Sequence, residues 1–144
     1  MQLKGTAYLP TLMAVESIER YRGHYTPGGP PSARMTEAAA AFARARAAGV
    51  IIGLGSDVGV FPHGTNLDEL IAMTRLGMTN AEALTAATAV NARILRRDDL
   101  GRVAEGALAD LIAVEGYPLA DVAALSRPAL VMTDGRVFRP TAAP

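Results

Sequence analysis

The segment GLGSDVGVFPHGTN, residues 53–66, brings together the side chains of this chain that could do chemistry. It follows an apolar run and contains Asp57 and His63, one of only two histidines in the sequence. A carboxylate just past the end of a buried strand can bind a metal and exchange a proton with water. The same aspartate can instead cap its own backbone, and spacing alone favours that Asx turn. His63 is typical either of a ligand or substrate contact or of a hydrogen-bonded turn.

The glycines of this segment do not form a dinucleotide-binding fingerprint. They fall at positions 53, 55 and 59, which gives G-x-G-x-x-x-G where the fingerprint has G-x-G-x-x-G. Residues 62–64 then separate them from the next predicted helix, so a pyrophosphate would have no helix N-terminus to bind. The pattern argues against a nucleotide-binding loop.

Composition restricts the partners and the metal ligands. The chain has 144 residues, half of them apolar, which suits one globular domain. Its 14 basic and 14 acidic residues argue against nucleic acid or an anionic membrane surface as a partner. Because there is no cysteine, any metal needs histidine, aspartate, glutamate or a modified side chain. No signal peptide or membrane span is visible, so a cytoplasmic location is expected.

The elements before the segment predict an α/β chain. Residues 6–12 predict a strand that passes into a turn or helix. The Gly/Pro-rich residues 22–34 predict a loop or lid, in which His24 is exposed. The alanine-rich residues 35–48 predict a helix that ends with Gly49 in the left-handed conformation. VIIGLG, which follows, predicts a strand buried on both faces.

Two helix start signals follow the segment. Asn66, with Glu69 three residues later, predicts an N-cap and a partial capping box, opening a helix that ends at Gly77. Thr79 and Glu82 repeat the pattern for a second helix. The sequence therefore predicts two consecutive helices with a short link.

The last third of the chain predicts a small β-rich unit. Short apolar runs alternate with glycine, and Asp134-Gly135 between LVMT and RVF predicts a type I′ hairpin turn. This change from helical patterns to short apolar runs divides the chain into residues 1–98, with barrel character, and residues 99–144, with β-sandwich character.

The motifs together resemble a known family. AGVIIGLGSDVGVFPHGTNLDELIAMTRLGMTNAEALTAATAVNARIL and GRVAEGALADLIAVEGYPLADV resemble the end of the metal-dependent amidohydrolases, in the imidazolonepropionase-like and Xaa-Pro or Xaa-Arg dipeptidase-like branch. GTAYLPTL resembles the seventh barrel strand. The resemblance implies an α/β fold: the C-terminal part of a TIM (β/α)8 barrel, with strands 7 and 8 and their helices, plus part of a small β-sandwich. It also implies that Asp57 ends the eighth strand, binds the metal and shuttles protons, and that His63 contacts substrate.

The resemblance implies a hydrolase of C–N bonds in small amide or dipeptide-like substrates, with one or two divalent metals, zinc by default. In the family the other ligands are an H-x-H, a carboxylated lysine or glutamate, and further histidines, and no H-x-H occurs here. A complete barrel needs about 250 residues. We therefore expect a C-terminal portion that is inactive or weak alone, with exposed strand edges that favour a homo-oligomer. The alternative is a non-enzymatic α/β binding or assembly module in which Asp57 is a turn residue.

Overall fold

The structure, a computed structural model, describes residues 5–138 and places the helices before a small sheet. The elements are α1 (Leu12–Tyr21), α2 (Ala33–Ala47), α3 (Leu67–Arg75), α4 (Asn80–Thr85), a π-helical stretch (Ala86–Val90), α5 (Asn91–Ile94), β1 (Leu111–Val114), a 3-10 turn (Val122–Ser126), β2 (Pro128–Thr133) and β3 (Arg136–Phe138). The architecture is mixed α/β, as predicted. The outer ends of the two predicted units, residues 1–4 and 139–144, lie outside the described residues.

The two predicted N-terminal strands lie side by side, but each is reduced to a short extended stretch. Tyr8 and Ile52 form a parallel bridge, in which the Tyr8 N–H donates to the Ile51 carbonyl at 2.8 Å. The predicted strand at 6–12 is too long, because α1 already begins at Leu12. Pro10 has no N–H to continue a ladder, and Thr11 turns the chain at a φ of 47°.

A buried apolar cluster fixes the start of segment 53–66. Its buried members come from α1, α2, the bridged segment, α3 and the π-helical stretch: Leu12, Phe42, Ile52, Met73 and Ala86. Phe42 and Met73 are completely shielded from solvent. Because Ile52 belongs to this cluster, the segment that follows it starts from a tightly packed, fixed position.

The loop between α1 and α2 is irregular, as predicted, and α2 ends as predicted. Gly49 adopts a φ of 63°, the left-handed conformation expected after a helix. The start of the loop is held by Glu19, whose carboxylate lies 3.7 Å from Arg22 and 3.5 Å from the exposed His24. The role of this loop as a lid stays a prediction.

The predicted capping box at Asn66 and Glu69 is wrong. Asn66 occupies the N-cap position of α3, but its side chain makes no capping bond. Glu69 is completely buried and accepts hydrogen bonds from the backbone N–H groups of Leu12, at 2.9 Å, and Met13, at 2.8 Å. The physical reason lies in α1, because the side chain of its N-cap Thr11 makes no capping hydrogen bond and the first N–H groups of the helix need an acceptor.

The second predicted capping box is present. The Thr79 side chain accepts from the Glu82 N–H at 3.1 Å, and the Glu82 carboxylate accepts from the Thr79 N–H at 2.7 Å. Both residues lie at the exposed start of α4, where Arg46 Nη2 also donates to the Glu82 carboxylate at 3.4 Å without displacing the Thr79 N–H. The helix start signal therefore gave the correct local geometry here.

The C-terminal unit is a three-stranded antiparallel sheet with the order β1-β2-β3. Asp134 and Gly135 connect β2 and β3 with φ values of 50° and 72°, the positive pair of a type I′ turn that the sequence predicted. Buried Val122 packs with Leu70 and Ala83 and joins this unit to α3 and α4. None of the helices in residues 5–138 combines the length and apolarity needed to cross a membrane.

Candidate functional site

An asparagine side chain holds the backbone just ahead of Asp57. Asn91 Oδ1 accepts from the Leu54 N–H at 3.0 Å, and Asn91 Nδ2 donates to the Leu54 carbonyl at 2.8 Å. The amide thus pairs with Leu54 as the backbone of a neighbouring strand would. Asn91 opens α5 directly after the π-helical stretch, a helix distortion that is frequent at functional sites. Segment 53–66 is therefore fixed from the helical side as well as through Ile52.

Two glycines allow this close approach. A Cβ atom at Gly53 would lie 2.4 Å from Asn91 Oδ1 and 2.6 Å from Ile94 Cδ1, and one at Gly55 would lie 2.8 Å from Leu9 Cδ2. These separations are shorter than van der Waals contacts. The glycines of the motif therefore serve packing against neighbouring side chains.

Gly53→Ala is expected to lower the free energy of unfolding by about 1–3 kcal/mol, because the new methyl group overlaps Asn91 and Ile94. Urea denaturation measures the change. In an Asn91→Ala background the same substitution should cost less, since one of the two overlapping side chains is gone. Strict additivity of the two substitutions would contradict the close packing.

Asp57 is exposed and lies at the turn out of the buried segment. It adopts a φ of 54°, a left-handed conformation that aspartate tolerates better than most residues. Its neighbour Ser56 is buried and accepts a hydrogen bond from Asn66 Nδ2 at 2.8 Å. Within residues 5–138 no hydrogen bond reaches the Asp57 carboxylate, so the alternative Asx turn is not formed. The strained backbone presents a carboxylate that a ligand or water can reach.

His63 lies in the same loop, also exposed. The turn around it is closed by Thr65, whose hydroxyl donates to the Pro62 carbonyl at 2.9 Å, and by Gly64 at a φ of 91°. No imidazole hydrogen bond helps to close this turn among the described residues. The structure thus brings Asp57 and His63 to one loop without a direct hydrogen bond or ion pair between them in the part of the chain that it describes.

The described residues do not by themselves fit a divalent metal. Between Gly5 and Phe138 no three histidine, aspartate or glutamate side chains come close enough to hold an ion. Catalytic metal sites in proteins use three or more protein ligands. Asp57 could supply one carboxylate, and the described part of the chain supplies no partners for it.

The sequence comparisons identify the family. The family model described as the amidohydrolase family matches residues 18–138. The chain belongs to the amidohydrolase family. The predicted resemblance is therefore confirmed, and this amidohydrolase chain also resembles individual members of the predicted branch.

Three similar proteins show how much of a relative this chain spans. It is 37% identical over 144 residues to an uncharacterized protein of Mycobacterium tuberculosis, covering 94% of this chain and 37% of the relative. Over 68 residues it is 44% identical to the imidazolonepropionase of Anaeromyxobacter sp. (strain K), covering 45% of this chain and 16% of the relative. The crystal structure of a Xaa-Pro dipeptidase with bound methionine matches with a TM-score of 0.85 and 35% identity, over 97% of this chain and 36% of that one. The chain thus spans little more than a third of the length of the relatives that it matches along its whole extent.

Sequence reasoning missed Asn91 and the role of Glu69 in this amidohydrolase chain. Asparagine is a poor residue for a helix interior, so Asn91 within TAVNARIL was a usable signal for a special contact. Glu69 gave no such signal, because its spacing from Asn66 matched a capping box. Only its burial reveals that it binds α1 instead.

Proposed function

We propose that this chain forms part of a hydrolase that cleaves C–N bonds in small amide or dipeptide-like substrates. The observation that supports this most directly is the exposed, strained Asp57, in a loop that directly follows the segment bridged in parallel to Tyr8. Barrel enzymes keep their catalytic groups at the carboxyl ends of their parallel strands, which is the position that Asp57 occupies here. Family membership and the match to a Xaa-Pro dipeptidase support the reaction class.

We propose further that the stretches around Tyr8 and Ile52 are strands 7 and 8 of a (β/α)8 barrel. Their parallel bridge and the intervening α1 and α2 support a βα unit of this kind. On the same grounds residues 1–98 belong to the barrel, and sheet β1-β2-β3 is part of a small β-sandwich within residues 99–144. Segment 53–66 would then lie at the catalytic end of the barrel.

In this proposal Asp57 accepts a proton from the attacking water and passes it to the leaving nitrogen. Its exposure and lack of hydrogen-bond partners within residues 5–138 support that role. Asp57 would also be one ligand of a divalent metal, zinc on the family resemblance, which when bound lowers the pKa of a coordinated water. The remaining ligands have to come from residues other than the described ones, so we expect the chain alone to be inactive.

A chimera tests this proposal. In it, this chain replaces the matching 36% of the Xaa-Pro dipeptidase, and dipeptide hydrolysis and metal content are measured. We expect a folded chimera that hydrolyses Xaa-Pro dipeptides, while the 144-residue chain alone shows neither turnover nor stoichiometric metal. A folded, metal-loaded chimera without activity would contradict the proposal and favour a non-enzymatic module.

His63 is proposed to line the mouth of the site and contact the substrate. Its exposed side chain is not used to close its own turn within the described residues. His63→Asn in the chimera is expected to raise KM by about tenfold with kcat little changed, because a binding contact is lost without a change in the chemical step. His24→Asn is the matched control, since this second exposed histidine lies beside Glu19 in the loop after α1. Equal effects of the two substitutions would argue against a substrate contact by His63.

A further inference from the structure

The short extended stretch that leads to the proposed catalytic aspartate has two edges, and this chain itself supplies a partner on each. On one edge the Tyr8 N–H donates to the Ile51 carbonyl at 2.8 Å, and the Gly53 N–H donates to the Tyr8 carbonyl at 3.1 Å. In extended backbone the N–H and C=O groups of successive residues point to opposite edges. Both backbone groups of Leu54 therefore face away from Tyr8, and they are the groups that the Asn91 amide binds. Asn91 thus takes the place of a neighbouring strand on the second edge.

The next two residues of the stretch are held as well. Gly55 lies against Leu9, since a Cβ atom at this glycine would be 2.8 Å from Leu9 Cδ2. Ser56 is buried, and its hydroxyl oxygen accepts a hydrogen bond from Asn66 Nδ2 at 2.8 Å. Each of the residues 53–56 therefore has a contact that limits its movement, and the backbone is fixed as far as the aspartate.

Asp57 itself depends on this support. Its φ of 54° is a left-handed value, and such a conformation persists where the surrounding structure enforces it. Within residues 5–138 no hydrogen bond reaches its carboxylate, so its own side chain does not stabilise the turn. The turn is therefore imposed by the residues ahead of it, where Asn91 makes two hydrogen bonds to the backbone and Asn66 makes one to a side chain.

The helix that carries Asn91 is shaped for this contact. Ala86–Val90 form the π-helical stretch, in which hydrogen bonds join residues five apart rather than four. Asn91 therefore points in a different direction from the one that a continuous α-helix would give it. Gly53 leaves the room that the amide needs, since a Cβ atom there would lie 2.4 Å from Asn91 Oδ1. Because π-helical turns are rare and frequent at functional sites, this arrangement supports a role beyond packing.

We propose that Asn91 is a positioning residue for Asp57: its amide holds Leu54 so that the turn at Asp57, and with it the carboxylate, is set before substrate binds. The inference rests on the proposed function, because it explains how the acid-base group of that reaction is oriented. A displacement of about 1 Å at a catalytic site can cost about 100-fold in rate. Loss of the Asn91 amide should therefore reduce kcat more than it changes KM.

The turn can be measured in the 144-residue chain without turnover. NMR shifts and three-bond couplings of Asp57 report its φ, and hydrogen exchange reports the protection of the Leu54 N–H. In the unsubstituted chain we expect a left-handed Asp57 and a protected Leu54 amide. Asn91→Ala should speed exchange of that amide by roughly tenfold or more, because its acceptor is lost, and should move the Asp57 signals toward random-coil values.

Asn80→Ala is the matched control for this measurement. The Asn80 amide also links distant parts of the chain, by donating to the carbonyls of Leu119 and Ala120 at 3.1 and 2.7 Å. Among the described residues it makes no hydrogen bond to segment 53–66. Its loss should leave both NMR readouts unchanged.

Asn91→Asp separates the paired hydrogen bonds from packing, because it keeps the shape of the side chain. The ionised carboxylate can accept from the Leu54 N–H but cannot donate to the Leu54 carbonyl, whereas the neutral acid can do both. We expect the Asp57 turn to be lost at neutral pH and recovered as pH falls through the pKa of the introduced carboxyl. Asn91→Ala should show no such recovery. A turn that is kept at neutral pH in Asn91→Asp would contradict the pairing.

Kinetics of the chimera then connect the turn to the reaction. Asn91→Ala should lower kcat by about 10- to 100-fold and change KM by less than about twofold, while Asn80→Ala should change neither. An inactive unsubstituted chimera, together with a turn that requires Asn91, would refute the hydrolase and leave the positioning of Asp57 standing. A turn that survives Asn91→Ala, an unchanged kcat in that variant, or equal effects of the two asparagine substitutions would overturn the inference.

Discussion

Asp57→Asn is expected to lower kcat/KM for dipeptide hydrolysis by the chimera by about 100- to 10,000-fold, the range that a positioned acid-base group contributes. Asparagine keeps the size of the side chain and tolerates the left-handed backbone at this position. The substitution therefore removes proton transfer and the negative charge while leaving the loop in place. We also expect metal content to fall, because an amide is a weaker ligand for a divalent ion than a carboxylate.

Asp68→Asn is the matched control for this prediction. Asp68 is also exposed and lies nearby, in the first turn of α3. Its substitution should change kcat/KM by less than about twofold, since surface changes away from the site have small effects. Full activity of the Asp57→Asn chimera, or an equal loss in both variants, would refute the catalytic role of Asp57.

Glu69→Ala is expected to lower the free energy of unfolding by about 2–4 kcal/mol, the largest effect on stability that we predict. The substitution leaves the N–H groups of Leu12 and Met13 without their acceptor and opens a cavity at a fully buried position. Chemical denaturation followed by circular dichroism measures the loss. Because Glu69 joins α3 to the start of α1, the variant should also loosen the packing of α1 against α3.

Glu82→Ala is the control for Glu69→Ala. Glu82 likewise accepts a hydrogen bond from a backbone N–H group, but it does so at an exposed capping box. Loss of an exposed cap costs about 0.5–2 kcal/mol, so the two glutamates should differ clearly. Equal losses would show that burial of Glu69 adds nothing.

The pH dependence of stability provides an independent check on Glu69. Burial raises the pKa of its carboxyl above the ordinary value of 4.5, although the N–H groups of Met13 and Leu12 act in the opposite direction. The folded state therefore keeps this proton to higher pH than the unfolded state does. Relative to Glu69→Gln, which does not titrate, the native protein should be most stable below pH 4.5 and lose that advantage as pH rises through the raised pKa. A relative stability that increases with pH over this range would contradict the burial argument.

Local patterns were sufficient for many features of this chain. Gly49 and the Asp134-Gly135 turn have the positive φ values that their residue types predicted, and Thr79 with Glu82 forms the predicted capping box. These features depend on residues a few positions apart, whose conformational preferences act without help from the rest of the fold. The family resemblance, which the comparisons confirm, likewise depends on the order of motifs along the chain.

Other features depended on contacts that local patterns do not contain. Glu69 matched a capping box by spacing, yet its partners in α1 lie 56 and 57 residues away in the sequence. Asn91 holds Leu54 across 37 residues. A buried carboxylate or amide takes whichever backbone groups the packing of distant elements leaves unpaired.

By itself, therefore, the sequence determined the family, the helices and turns, and the loop that contains Asp57 and His63. The tertiary structure alone decided how Asn91 and the two glycines hold the start of that loop and how Glu69 fixes α1. The physical reason is range: turn and helix preferences act between neighbours in the chain, whereas the position of a site is fixed by side chains that meet only once the helices have packed.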